Sequence, residues 1–123
     1  MDSNIGRRTL LDQLINNDES PSILINKLQA NENEIDDAEV ILTRSHIVNM
    51  IRKCLNNDIS SGELEDWANA VEMRDGVEYE NGFEKQIAGS LFELSTPEIN
   101  HPLTKEYLME HLTHLLSNNE TQK

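Results

Sequence analysis

The sequence predicts an all-α fold: one compact domain over residues 1–123, built from five or six short helices. Three observations carry this. Apolar residues recur at helical spacing in successive windows, and polar helix-breaking or capping residues separate those windows. Strand-like alternation is almost absent. At 123 residues, about two-thirds of the unfolded chain's surface can be buried, which suffices for one core without metal or disulfide staples.

Leu10, Leu11, Leu14 and Ile15 place a first helix near residues 7–16, ending at Asn16-Asn17. Ser20-Pro21 suits an N-cap followed by a first helical position, and Leu24, Ile25 and Leu28 line a short helix over 21–30. Asn31 to Glu39 holds five acids and, apart from Ile35 and Ala38, no apolar residue, so it reads as a loop or linker. Val40-Ile41-Leu42 is a brief apolar run fit for an extended segment. Thr43 or Ser45 then caps a helix carrying Ile47, Val48, Ile51, Cys54 and Leu55, which Asn56-Asn57-Asp58 terminates. Ser60 and Glu63 form a capping-box pair, followed by Leu64, Trp67, Ala68 and Val71 at i, i+3, i+4 and i+7, with Gly76 as a stop. Phe83, Ile87, Leu91 and Leu94 mark the next helix, closed by Thr96-Pro97. Thr104 opens the last, with Leu108, Leu112, Leu115 and Leu116 expected inward and a frayed polar tail over 117–123.

Ten basic and 23 acidic residues give a net charge of −13. Nucleic-acid phosphates and anionic lipid demand a basic surface, so the balance argues against both and favours a basic protein partner. Solubility alone is the bland explanation of such a charge. Its distribution says more. Between Asp58 and Glu80 stand eight acids and one base, Arg74, for −7 of the −13. With Leu64, Trp67, Ala68 and Val71 inward, Glu63, Glu65, Asp66, Asn69 and Glu72 fall on the solvated arc. Acids in a first helical turn are ordinary helix design, but Glu72, Asp75, Glu78 and Glu80 lie beyond that help. The candidate partner-binding residues are therefore Asp58, Glu63, Glu65, Asp66, Glu72, Asp75, Glu78, Tyr79 and Glu80. Tyr79 fits either an interface or a half-buried packing role, whereas Trp67, central on the apolar stripe, is expected in the core.

No catalytic, metal or cofactor site is expected. His111 and His114 stand i, i+3 with Glu110 adjacent, but a catalytic zinc site needs a third protein ligand, so a solvated helix edge explains them. The lone Cys54 sits at a core position, and the five glycines form no phosphate loop. A single cysteine suits a reducing compartment, and no stretch has the ~20 apolar residues of a membrane span. Arg7-Arg8 is followed by no signal-peptide core, since Asp12 interrupts Leu10-Leu11, and a cytoplasmic location is expected.

The stretch from Ile59 to Arg74, continuing through Val77–Glu80, resembles small acidic helical bacterial proteins, as do Leu91–Ile99 and Leu103-Thr104. Several proteins of that kind act as immunity proteins against toxins, including those of contact-dependent growth inhibition. The resemblance covers about residues 40–116 and implies a non-enzymatic protein that binds a cognate toxin, expected to be a nuclease. Recognition residues need not belong to the shared pattern, because each immunity protein recognises its own toxin. The alternatives are a regulatory or adaptor module, or a nucleic-acid mimic, binding a basic host protein; genome context separates these from an immunity protein. A metal-dependent enzyme using His111, His114 and nearby acids is the third reading, which metal content would decide.

Overall fold

A computed structural model describes residues 7–30, 39–72, 74, 76–100 and 102–121. The linker expected at residues 31–39 therefore lies outside the described residues except at Glu39. Six helices are present: α1 (Arg7–Asn16), α2 (Pro21–Ala30), α3 (Arg44–Leu55), α4 (Ser61–Val71), α5 (Glu84–Ser95) and α6 (Lys105–Thr121). Two short strands, β1 (Val40–Leu42) and β2 (Val77–Tyr79), pair in parallel.

The helix ends follow from local chemistry. Asn17 and Asn57 adopt left-handed backbone (φ 57° and 66°) just past α1 and α3. In each case the following residue's N–H reaches back to a carbonyl five residues earlier, Asp18 to Gln13 at 2.9 Å and Asp58 to Lys53 at 2.8 Å. This is the Schellman closure, and asparagine tolerates its positive φ better than most residues do. At the start of α4, Glu63 N–H donates to Ser60 Oγ (3.1 Å) while Glu63 Oε1 accepts the Ser60 N–H (2.8 Å). For α3 the N-cap is Thr43, whose N–H donates to His46 Nδ1 at 2.9 Å. Thr104 opens α6 by accepting the Tyr107 N–H on Oγ1 at 3.1 Å.

The core joins all six helices and both strands: Leu10, Leu11 and Leu14 of α1, Leu24 of α2, Leu42 of β1, Ile47 and Ile51 of α3, Leu64 and Trp67 of α4, Val77 of β2, Leu91 of α5 and Leu108 of α6 are all buried. Trp67 is 0% exposed and its Nε1–H donates to Leu14 O at 2.8 Å, so the indole's polar edge is satisfied at the end of α1. The principal packing partner of α4 is α5, while α6 lies on α3.

Four expectations are corrected here. A second strand exists: Val40, Ile41 and Leu42 pair with Val77, Glu78 and Tyr79, with Val40 N–H donating to Gly76 O at 2.8 Å. A parallel pair needs a crossover, supplied by α3 and α4, and three residues are too few to give a sequence period. Gly76 (φ 88°) shapes the entry to β2, since α4 has already ended at Val71. Finally, Leu116 is 46% exposed and Leu112 only half-buried, because α6 presents a narrow arc centred on Leu108 and Leu115. The α6 backbone also continues helically through Thr121, into the segment expected to fray. Among the described residues no helix is long and apolar enough to cross a membrane.

Candidate functional site

The acidic residues singled out from sequence separate into two groups. Asp58, exposed in the α3–α4 turn, and Asp66, exposed on α4, face solvent, as does Glu78 on the outer side of β2. Glu65 is half-buried on α4. Among the described residues, the carboxylates of Asp58, Glu65, Asp66 and Glu78 make no ion pair. Glu63 is exposed but also serves the α4 cap. No basic residue occurs on α4 itself.

The second group is committed to the fold. Glu80 receives Arg44 in a fork: Nε to Oε1 at 2.9 Å, Nη2 to Oε2 at 3.1 Å, and the Arg44 backbone N–H to Oε1 at 3.1 Å. The Arg44 guanidinium also lies 3.4 Å from the Phe83 ring centre. These hydrogen bonds from Arg44 hold the Glu80 carboxyl below the usual carboxylate range, against the opposing effect of burial. Glu80 is thus not the unneutralised surface acid the sequence suggested. Glu72, the C-cap of α4, is half-buried and accepts the Ser95 hydroxyl at 2.8 Å, which ties α4 to α5. Beside it, Asn69 Nδ2 donates to Glu65 O at 3.2 Å and to Ser95 O at 3.4 Å. Tyr79 packs half-buried against the core, and Asp75 lies outside the described residues. The surface that remains is Asp58, Glu63, Glu65 and Asp66, with Glu78 exposed on β2.

The histidines took positions that spacing alone does not give. His46 caps α3; burial pushes its pKa below the ordinary value, against the opposing charges of Asp12 and Glu80. His101 lies outside the described residues. His111 is not on a solvated edge: its side chain is only 9% exposed. Its Nε2 lies 2.5 Å from Ser90 Oγ on α5. Its Nδ1 faces Tyr107 Oη at 3.4 Å and Glu93 Oε1 at 3.6 Å, and the Tyr107 hydroxyl donates to Glu93 Oε1 at 2.5 Å. Burial holds the His111 pKa down, opposed by Glu93, and burial with Glu93 pushes the Tyr107 phenol up. The Ser90–Glu93 and Tyr107–His111 spacings on two helices were the available signal, but which helices pack together is not written in either. Among the described residues, no group of three or more His, Cys, Asp or Glu side chains could hold a metal ion. Cys54 is half-buried and its thiol is pushed up by burial, which disfavours the nucleophilic thiolate.

No protein-family model matches the chain, and no curated protein or solved structure does so either.

Proposed function

We propose that this protein is an immunity protein: it neutralises a cognate toxin, a nuclease, by stoichiometric binding of the toxin's basic surface. The observation that carries the reading is the run of carboxylates on the outer face of α4 and the turn before it (Asp58, Glu63, Glu65 and Asp66), unopposed by any base on that helix. Glu63 also closes the α4 cap, but the fold gains little from Glu65 and Asp66, which lie past the first helical turn and repel without helix-dipole compensation. Such a face draws a cationic partner from beyond contact distance and fixes its orientation, with the carboxylates taking the place of nucleic-acid phosphates against lysine and arginine. The resemblance of residues 40–116 to small acidic helical bacterial proteins, several of which act as immunity proteins, is consistent with this reading.

The test is capture from the native host at low salt, with the protein immobilised and the adjacent genes intact. Recovery of a basic protein encoded directly upstream supports the immunity reading; recovery of an unrelated host protein replaces it with the adaptor or mimic reading. With the captured partner, the triple variant Glu65→Lys, Asp66→Lys and Glu78→Lys should associate about tenfold or more slowly at low salt and lose most of its salt dependence. Unchanged association would remove this face from the interface.

A further inference from the structure

The flank of α5 opposite α4 carries chemistry that toxin binding does not use. Ser95 on one side of α5 meets Glu72 and Asn69, whereas Ser90 and Glu93 on the other meet His111 and Tyr107 of α6. The proton positions in this second cluster follow from its acceptors. His111 Nδ1 faces the Tyr107 oxygen and the Glu93 carboxylate, and the Tyr107 hydroxyl proton is directed at Glu93, not at His111. A lone pair on Nδ1 would be repelled there, so the neutral imidazole carries its proton on Nδ1. Nε2 is then an acceptor, and the hydrogen bond at Ser90 runs from the hydroxyl to the imidazole. This is the arrangement of an activated serine: nucleophile, general base, and acids that orient the base.

The cluster opens on a cleft of about 320 Å³ lined by Lys85, Gln86, Gly89, Ser90, Glu93 and His111, with His114 and Leu115 completing the wall. Gly89 leaves open space beside Ser90, because a Cβ there would meet nothing within 4 Å. Lys85, exposed on the same helix, also lines the cleft and gives it a positive charge.

We propose that Ser90 and His111 form a nucleophilic centre that takes an acyl group from small, uncharged carboxylic esters. Ser90 Oγ bonds to the ester carbonyl carbon while its proton passes to His111 Nε2. Collapse of the tetrahedral intermediate breaks the bond to the alcohol oxygen, which leaves with that proton. Water, deprotonated by His111, then attacks acyl-Ser90, releasing the carboxylic acid and restoring the hydroxyl. Glu93 and Tyr107 are positioning residues that hold the Nδ1 proton and stabilise the transient imidazolium. The size of the cleft limits the acyl group, and Glu93 beside it disfavours anionic substrates.

The charged and titratable groups facing this centre are Lys85 and Glu93 from α5, and Tyr107, Glu110 and His114 from α6. Burial keeps His111 neutral at pH 7, the state that accepts a proton.

Full-length protein treated with diisopropyl fluorophosphate should gain one diisopropylphosphoryl group per chain, located on Ser90 by peptide mass spectrometry, with fluoride leaving and the hydroxyl proton passing through His111. Ser90→Ala should gain none, and His111→Gln should react at least about a hundredfold more slowly, the usual worth of a general base. Glu93→Gln should slow labelling and move its pH midpoint lower, since the carboxylate that raises the imidazole's proton affinity is gone. Gly89→Leu, a better helix former in open space, should keep the melting temperature while closing the cleft and cutting labelling about tenfold or more. Nitrophenyl acetate should give a burst of one nitrophenolate per chain in wild type only. A folded wild type without an adduct, an adduct on another residue, or equal labelling of His111→Gln overturns the proposal and leaves the cluster as a polar tie between α5 and α6.

Discussion

Replacing Trp67 tests the architecture most directly, because one side chain reports on both packing and a single hydrogen bond. The indole is 0% exposed, and its N–H reaches Leu14 O at 2.8 Å. Removing a buried aromatic costs about 3–5 kcal/mol, from lost transfer free energy and the cavity left behind. Losing the hydrogen bond adds less than a fully orphaned carbonyl would, since Leu14 O also accepts the Asn17 N–H at 3.1 Å; its net worth is about 1 kcal/mol. Trp67→Ala should therefore lose about 4–6 kcal/mol, a large fraction of the 5–15 kcal/mol typical of a whole domain. Trp67→Phe keeps a ring in the site; about 1 kcal/mol for the bond and about 1 for the smaller void predict a loss of about 2 kcal/mol. Urea denaturation followed by circular dichroism reads both, and the melting temperature should fall about 4 °C per kcal/mol at this chain length. Trp67 is the sole tryptophan, so wild-type fluorescence should be blue-shifted and shift red as urea unfolds the chain. An Ala variant within 1 kcal/mol of wild type, or a Phe variant as unstable as the Ala variant, would refute this account of the core.

Two further outcomes follow from the polar contacts. Glu72→Ala should lose about 1 kcal/mol, because Ser95, which is 3% exposed, forfeits its acceptor and falls back on Phe92 O at 3.2 Å, whereas Glu65→Lys with Asp66→Lys should stay within about 0.5 kcal/mol of wild type; thermal melts giving the opposite order would show that the α4 surface is misassigned. Acidification should destabilise the fold through His46. Its folded pKa is lowered, so as pH falls below about 6.5 the unfolded chain takes the proton first, and the stability present above that value is lost as pH drops through the folded pKa. Protonated Nδ1 also ceases to accept the Thr43 N–H. His46→Gln keeps an acceptor at the cap without titrating, so melting temperatures measured from pH 7.5 to 5.0 should fall less steeply than in wild type; equal slopes would exclude His46 as a source of the acid sensitivity.

How much was legible in the sequence depends on how local the cause is. Helix starts and stops were: Ser60 with Glu63, Asn17, Asn57 and Thr104 act on backbone groups within five residues of themselves. The apolar stripe of α4 was legible for the same reason, since period 3.6 fixes which side of one helix is buried whatever it packs against. The acidic bias of residues 58–80 is also a property of the chain. What the carboxylates do is not. Glu80 meets Arg44, 36 residues earlier, and Glu72 meets Ser95, 23 residues later, so two members of an apparent surface patch became part of the fold.

The sequence by itself therefore determined the helical class, most element boundaries, the Trp67-centred core and the sign of the surface. Tertiary structure decided the β1–β2 pairing, which acids remain open to a partner, and the meeting of Ser90, Glu93, Tyr107 and His111. The physical reason is range. Capping and periodicity act within a turn or two of helix, whereas pairing between strands 37 residues apart and hydrogen bonds between α5 and α6 exist only once burial of the shared apolar faces has fixed which elements touch.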